Sequence, residues 1–209
     1  MSRARSILIF GCLLAAIPTG GGQEPEVRLL FTGDILLSRQ VRHEIELTGR
    51  SPWGRFANLF HGATWIAGNL EGAVGEARDC VPADSASPCF DVPASMIPLL
   101  SQAGFKAMGM ANNHASDLGA AGRAATLQAL RKAGLAALSF EESPLFAKLG
   151  PHTVAIVTLS SVPARDGSRI EIPSTALRQK LQLAIGARHH QQRLRSTILT
   201  GCDNTEIAV

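Results

Sequence analysis

Short apolar segments alternate with amphipathic segments along most of this chain, and this alternation restricts the fold more than any other feature. Four short apolar segments have the length and composition of buried strands: residues 27–34, 64–71, 105–111 and 135–139. Three segments between them have the polarity of helices: residues 36–47, 93–103 and 119–133. Strands that alternate with helices predict a layered α/β fold with a largely parallel sheet.

The alternation changes in the last third of the sequence. Residues 145–149 and 154–159 are apolar and are separated by Gly150 and Pro151, which predicts a hairpin. Residues 174–188 are compatible with a further helix.

Length and composition suit a single domain. The chain has 209 residues, 45% of them apolar, which is enough for one sizeable core. Residues 191–209 lack a clear hydrophobic period, and we expect no core strand there. We therefore predict one domain over residues 27–188 and an atypical tail over residues 189–209.

Residues 1–22 have the pattern of a secretory signal peptide. Arg3 and Arg5 precede an apolar run over residues 7–17, and Pro18 and three glycines follow it. The run is short for a segment that spans a bilayer. We expect an exported protein in the periplasm or at the extracellular face of the cell envelope, with this segment either cleaved or kept as a membrane anchor.

Export also sets the expected state of the cysteines. Cys80 and Cys89 flank a turn-rich stretch that needs a constraint to hold a shape. In an oxidising compartment, a disulfide between them is the predicted constraint. A metal site is the weaker alternative, because neither cysteine has a second Cys or His at ligand spacing. Cys202 then has no partner once the signal, with Cys12, is removed.

Polar side chains follow three of the predicted strands, namely Asp34, Asn69 with Glu71, and Asn113 with His114. The carboxyl ends of parallel strands converge on one crevice. Carboxylates, an amide and an imidazole suit divalent metals, and two such ions side by side can activate water and clamp a phosphoryl group. Each residue type also has a structural alternative, because Asp caps helices, Asn occupies turns and a lone His is often structural.

Four motifs resemble those of the bacterial capsule-synthesis CapA family. In chain order they are Phe-Thr-Gly-Asp-Ile-Leu-Leu-Ser-Arg at 31–39, Gly-Asn-Leu-Glu-Gly at 68–72, Ala-Gly-Phe at 103–105 and Ala-Asn-Asn-His-Ala-Ser-Asp-Leu-Gly at 111–119. They follow the order and spacing of the family over residues 27–160. The resemblance implies a layered, metallophosphatase-like (calcineurin-like) α/β fold and a role in poly-γ-glutamate capsule assembly.

The resemblance also implies a set of metal ligands. It identifies Asp34 and Glu71 as metal-site carboxylates and Asn113 as a neutral oxygen ligand. The implied cofactors are divalent metal ions such as Mn, Zn or Fe.

Further roles follow from the same resemblance. His114 is expected to stabilise the phosphoryl group or to protonate the leaving oxygen. Arg39 is expected to hold an anionic oxygen of the substrate, and Asn69 to orient Glu71 or to donate a hydrogen bond to the ligand. Asp117 is expected to have a structural role in the turn that follows His114.

The sequence departs from the family in its second half. Family members are expected to carry a His-Trp-Gly-x-Glu-type motif and a His-Pro-His motif, which supply the remaining ligands, and neither is present. His189 and His190 lie in an Arg- and Gln-rich stretch that is typical of a solvated helix face. We expect a truncated chain with a frameshift near residue 190, which leaves open whether this chain is catalytic.

Two functions therefore remain open. The first is a metal-dependent, phosphoesterase-like protein of the cell envelope that acts in synthesis or export of a capsule or poly-γ-glutamate polymer. The second is a non-catalytic envelope subunit that binds the anionic polymer or a membrane synthase. The net charge of +3 does not favour nucleic-acid binding, and we expect no nucleic-acid partner.

Overall fold

The computed structural model describes residues 26–81, 88–139 and 142–160, and beyond them only single positions and two short strands. The predicted signal peptide and most of the helix predicted over residues 174–188 lie outside the described residues. In the part of the chain that is described, no helix is both long and apolar enough to cross a membrane.

A parallel sheet forms the centre of the fold, as the strand and helix alternation predicts. Its four strands, in spatial order, are β1 (Leu29–Ile35), β2 (Trp65–Leu70), β5 (Ala107–Gly109) and β6 (Ala136–Leu138). Three of the strands lie within the predicted apolar segments, and β1 extends one residue beyond its segment, to Ile35. Short apolar runs are typical of strands in a parallel sheet that is covered on both faces.

Helices make the crossovers between these strands. They are α1 (Arg39–Thr48), α2 (Ala57–Phe60), α3 (Pro98–Gln102) and α4 (Gly119–Lys132). α1 begins later than the predicted position 36, and the helix predicted over residues 93–103 is divided into a 3₁₀ turn at Ala94–Met96 and α3. Pro98 opens α3, because a proline has no backbone N–H to lose in the first turn of a helix.

The two faces of the sheet bury different sets of side chains. Along β2, Ile66 and Leu70 face a core shared with the helices, whereas Trp65 and Ala67 face a second core shared with a β-hairpin. Successive strand residues point to opposite faces, so that alternate positions enter alternate cores. The fold is therefore layered, with the sheet between the helices and the hairpin.

Two further pairs of strands complete the described part of the chain up to residue 160. β3 (Ala73–Val74) and β4 (Asp91–Val92) form a short parallel pair. The predicted hairpin is present as β7 (Leu145–Leu149) and β8 (His152–Ser160), which pair antiparallel and pack against the sheet.

The expectation that the tail adds no core strand is wrong. β9 (Ile198–Thr200) and β10 (Thr205–Ala208) pair with each other, and β10 pairs antiparallel with β8. Strands this short give no readable hydrophobic period, and pairing with a distant strand leaves no local sequence signal.

Gly68 allows β1 and its neighbours to pack closely at the centre of the sheet. A Cβ atom at this position would lie 2.5 Å from Thr32 Oγ1 and 2.6 Å from Ile35 Cδ1. A side chain here would therefore have to displace these two side chains of β1, the strand that carries Asp34.

Candidate functional site

The predicted site residues on the first two strands meet because β1 and β2 are parallel neighbours. Asp34 on β1 is paired in register with Asn69 on β2. An irregularity between Phe31 and Asp34 shifts this register. Such bulges redirect side chains at a sheet edge, and here one sets Asp34 beside Asn69.

The side-chain amide of Asn69 joins two carboxylates. Its Nδ2 donates one hydrogen bond to Oδ1 of Asp34 at 2.8 Å and one to Oε2 of Glu71 at 3.0 Å. Its Oδ1 accepts a hydrogen bond of 2.8 Å from Nδ2 of Asn112. Both hydrogens of the Asn69 amide are therefore used by the two carboxylates, and its oxygen is used by Asn112.

Asn112 connects this pair of acids to the loop that follows β5. Its Nδ2 also donates to the backbone oxygen of Leu70 at 2.9 Å, and its Oδ1 accepts the backbone N–H of His114 at 3.0 Å. The side chain is buried, so these bonds replace its contacts with water. Asn112 therefore holds His114 in a defined position relative to β2.

His114 is buried and lies between two carboxylates. Its Nδ1 lies 2.9 Å from Oδ2 of Asp117, and its Nε2 lies 3.6 Å from Oε1 of Glu71. Because an ionised carboxylate only accepts hydrogen bonds, Nδ1 carries the proton that faces Asp117. In the neutral ring Nε2 is then the acceptor, and it faces Glu71.

Asp117 is fully buried and accepts two hydrogen bonds through one oxygen. Its Oδ2 accepts the backbone N–H of Phe90 at 2.7 Å, as well as the Nδ1–H of His114. Its Oδ1 is buried without a hydrogen-bond partner among the described residues. The expectation of a purely structural Asp117 is therefore too narrow, because this carboxylate also orients the His114 ring.

The pKa of the Glu71 carboxyl is raised above its usual value. Burial of the side chain is the largest cause, and the negative charge of Asp34 adds to it. His114 and the hydrogen bond from Asn69 act in the opposite direction without cancelling the effect. Burial and the neighbouring Asp34 carboxylate therefore both disfavour the ionised form of Glu71.

Phe90 packs between the two residues predicted to act on the substrate. Its ring centroid lies 4.2 Å from that of His114, and Cζ of Arg39 lies 5.9 Å from the Phe90 centroid. Arg39 is exposed and has a φ of 52°, a left-handed conformation that non-glycine residues rarely adopt. The guanidinium is therefore accessible to solvent beside the site.

The structure thus brings together most of the predicted strand-end residues and leaves one apart. Asp34, Asn69, Glu71 and His114 belong to one hydrogen-bonded or charge-paired network. Asn113 is half-buried, and in the described part of the chain no hydrogen bond joins its side chain to that network.

Sequence reasoning missed Asn112, Phe90 and the orienting role of Asp117. The sequence contains a signal for the role of Asp117: an Asp three positions after a His can contact the His ring within one turn. Cys80 and Cys89, the two cysteines predicted to pair, form a disulfide with an S–S distance of 2.04 Å.

The donor set agrees only in part with a metal site. Asp34 and Glu71 supply carboxylate oxygens, which are suitable ligands for a divalent ion, whereas Asn113, among the described residues, stands apart from their network. However, no group of three or more His, Cys, Asp and Glu side chains in the described ranges could hold a metal ion. These residues fit part of a metal site and do not complete one.

The fold and the strand-end cluster together define a class. A parallel sheet between helices and an antiparallel hairpin, with acids, amides and an imidazole at its carboxyl edge, is a layered metallophosphatase-like α/β fold. The model of the family described as "Bacterial capsule synthesis protein PGA_cap" matches residues 28–198, and the chain belongs to this family. The chain matches none of the curated proteins with which it was compared.

Membership confirms the predicted resemblance and relates this protein to bacterial capsule and poly-γ-glutamate synthesis. The match covers the central parallel sheet, all of the strand-end residues and the disulfide. The roles of the individual residues stay predictions.

Proposed function

We propose that this protein acts in the cell envelope in the synthesis or export of an anionic capsule polymer, through a metallophosphoesterase-like site. The observation that carries the proposal is the Asn69 amide, which holds the carboxylates of Asp34 and Glu71 side by side at the carboxyl edge of the sheet. Ligands bind at this edge in α/β folds of this kind.

Asp34, Glu71 and Asn113 are the residues proposed to hold a divalent metal ion. Carboxylate and amide oxygens are suitable ligands for such ions, and Mn, Zn and Fe are the candidates. A bound ion would polarise a phosphoryl oxygen and lower the pKa of a coordinated water. Asn69 contributes by fixing the two carboxylates before any ion binds, which lowers the cost of ordering them.

His114 is proposed to move the proton. With Nδ1–H donated to Asp117, the proton-accepting atom is Nε2, and the buried Asp117 stabilises the ring when Nε2 is protonated. The protonated Nε2 can then donate to the leaving oxygen of a phosphoester. Proton transfer through Nε2 requires the ring to stay in one orientation. Asn112 holds the backbone of His114, and Asp117 holds the ring.

Arg39 is proposed to bind an anionic oxygen of the substrate. Its exposed guanidinium offers several donors in a planar arrangement that suits phosphate or carboxylate groups. A polymer of acidic units and a phosphorylated precursor both present such oxygens. Stacking of Arg39 over Phe90 keeps the cation near His114.

The proposal assigns the protein to the periplasm or the extracellular face of the envelope. The Cys80–Cys89 disulfide supports this, because structural disulfides persist in oxidising compartments. The apolar run over residues 7–17 supports it independently as a sequence pattern.

Metal content and turnover test the proposed activity together. Purified protein loaded with Mn²⁺ or Zn²⁺ should retain metal after desalting and hydrolyse a generic phosphomonoester. Asp34→Ala should lower metal retention, and His114→Ala should lower turnover at unchanged metal content. Glu44→Ala and His61→Ala, which alter exposed residues, are the matched controls.

A different result would support the second candidate function. Binding of poly-γ-glutamate without turnover, unaffected by Asp34→Ala and His114→Ala, would identify a non-catalytic envelope subunit. Loss of polymer binding in Arg39→Ala would then locate the contact beside the site.

A further inference from the structure

The residues that directly follow the two disulfide cysteines both donate a backbone hydrogen bond to Asp117. The N–H of Val81, next to Cys80, donates to the backbone oxygen of Asp117 at 2.8 Å. The N–H of Phe90, next to Cys89, donates to Oδ2 of Asp117 at 2.7 Å. The Sγ of Cys89 itself lies 3.8 Å from the Asp117 backbone oxygen. The disulfide therefore ties together the two chain segments that hold Asp117.

The same segments reach His114 by a second route. Phe90 packs its ring against the His114 ring, and its backbone oxygen accepts the N–H of Ala73 at 3.0 Å, which begins the β3–β4 pair. His114 is thus held by a hydrogen bond to Asp117 on one side and by the Phe90 ring on its face. The ring contact of Phe90 with His114 and its hydrogen bond to Asp117 both depend on the position of the segment that Cys89 anchors.

Asp117 is also held by its own turn, where its backbone N–H donates to the backbone oxygen of His114 at 3.1 Å, but its carboxylate depends on the Phe90 segment. Its Oδ1 is buried without a partner among the described residues, so the charge is stabilised through Oδ2, by Phe90 N–H and His114. A buried carboxylate that loses such a donor is left poorly solvated. Displacement of the Phe90 segment would therefore change the orientation of the His114 ring.

We propose that the Cys80–Cys89 disulfide is a positioning element of the site, which fixes the His114 ring through Asp117 and Phe90 and makes its orientation depend on the redox state of the two cysteines. Regulation of the site by the redox state rests on the proposed function. The positioning of the His114 ring by the disulfide does not depend on that function.

The redox step is an ordinary thiol–disulfide exchange with a dithiol reductant. One thiolate of the reductant attacks Sγ of Cys80 or Cys89, the protein S–S bond breaks, and the other sulfur leaves as a thiolate. The second thiol of the reductant resolves the mixed disulfide. The products are two protein thiols and the oxidised reductant, so two electrons and two protons pass to the protein. Both cysteines are half-buried, which gives a reductant access.

Nuclear magnetic resonance of the His114 ring tests the proposal directly. A Cys12→Ala/Cys202→Ala background leaves Cys80 and Cys89 as the only cysteines. In the oxidised, metal-free protein, we expect ring nitrogen shifts of a single Nδ1–H tautomer and a slowly exchanging Nδ1 proton. After reduction by dithiothreitol, the tautomers should average and the Nδ1 proton should exchange rapidly, and reoxidation should restore both signals.

The exposed His61 is the internal control, and its ring signals should not change. Unchanged His114 signals after complete reduction, with the amide spectrum of the sheet intact, would overturn the proposal. No metal, substrate or turnover enters this measurement, so an absent phosphoesterase activity would overturn the proposed function without affecting it.

A reciprocal measurement covers the case in which reduction unfolds the chain. If the disulfide stabilises the Asp117–His114 contact, that contact must stabilise the disulfide by the same free energy. Asp117→Asn should therefore become reduced at a reductant ratio about fivefold or more below that of the parent chain. Asp91→Asn is the matched control, because Asp91 lies on β4 but bonds to Arg42 and Ser38 instead. Equal shifts of the reductant ratio in both variants, or no shift in Asp117→Asn, would overturn the proposal and show that the disulfide only closes a loop.

Discussion

Asn69 donates a hydrogen bond of 2.8 Å from its side-chain amide to the carboxylate of Asp34, its register partner on the neighbouring parallel strand. The same nitrogen donates to Glu71, so that one neutral amide separates two acids. Each carboxylate at this end of the sheet therefore accepts one hydrogen bond from the same amide group. It also makes Asn69 the residue whose replacement most directly reports on the charge of the site.

Replacement of Asn69 by aspartate should destabilise the metal-free protein at neutral pH. The variant loses two donated hydrogen bonds and adds a third carboxylate beside Asp34 and Glu71, and we expect a loss of about 2 kcal/mol or more in the free energy of unfolding. Denaturant unfolding at neutral and acidic pH measures the loss, which should shrink when the acids are protonated. Asn58→Asp, on the exposed surface of α2, is the control and should change stability little.

Added Mn²⁺ should narrow the difference in free energy of unfolding between the Asn69→Asp variant and the parent protein. A divalent cation relieves more charge repulsion among three clustered carboxylates than between two. A gap that stays the same across pH and metal concentration would show that repulsion between acids is not the cause.

The stability of the metal-free protein should depend on the titration of Glu71. Its pKa is raised in the folded state, mainly by burial and then by Asp34, so the folded state holds its proton at pH values where the unfolded state has released it. Stability from this group is therefore complete at low pH and declines as the pH rises from the unfolded value through the raised folded value.

Glu71→Gln removes this titration and should flatten the decline that begins near the ordinary glutamate pKa of about 4 and continues upward in pH. Chemical denaturation across this range measures the slope. Glu44→Gln changes an exposed glutamate and should retain the slope of the parent protein. Parallel curves for the parent and Glu71→Gln would contradict the assignment of the slope to Glu71.

Removal of the Asp117 carboxylate should be costly for stability. Asp117→Ala leaves the Phe90 N–H and the His114 Nδ1–H without their acceptor in a fully buried position, and a loss of about 3–5 kcal/mol is expected. Thermal and denaturant unfolding measure it. Glu46→Ala, which removes an exposed partner of Arg42, should cost less than about 1 kcal/mol. Similar losses in both variants would argue against a special role for the buried carboxylate.

Gly68→Ala and Gly33→Ala form a matched pair that tests close packing beneath the site. A Cβ at Gly68 would lie 2.5 Å from Thr32 Oγ1, whereas a Cβ at Gly33 would meet nothing within 4 Å. We expect Gly68→Ala to cost about 1–3 kcal/mol of unfolding free energy and to weaken metal binding, because β1 carries Asp34. Gly33→Ala should be close to neutral. Comparable stabilities of the two variants would contradict the packing argument.

The central sheet could be predicted from the sequence because its strands are short apolar runs that end at or beside polar residues. Asp34, Asn69 and Glu71 were identified on the same basis, since parallel strands bring their carboxyl ends to one edge. Helix starts were less predictable. Apolar residues precede Arg39, where α1 begins, and flank Pro98, where α3 begins. Such residues give the same sequence pattern inside a helix and just before it.

The short strands of the tail were missed for two reasons. β10 pairs with β8 across more than thirty residues, which leaves no local pattern, and β9, which pairs with β10, is only three residues long. The choice between the two adjacent asparagines was also beyond sequence reasoning. Asn112 enters the network and Asn113 does not, because the path of the loop after β5 turns only the first side chain toward Asn69.

The sequence by itself determined the layered α/β class, the family, the pair of cysteines and the acids at the strand ends. These depend on local composition, on spacing and on the direction of parallel strands. Only the tertiary structure decided that Asn69 separates the two acids, that Asp117 orients His114 and that the disulfide segments hold Asp117. Asn69 reaches Asp34, and Phe90 reaches Asp117, across long stretches of sequence. Such hydrogen bonds depend on strand register and loop path to within a fraction of an ångström, and no local pattern encodes them. The spacing of His114 and Asp117 permits their contact, but the side-chain rotamers decide whether the two groups meet.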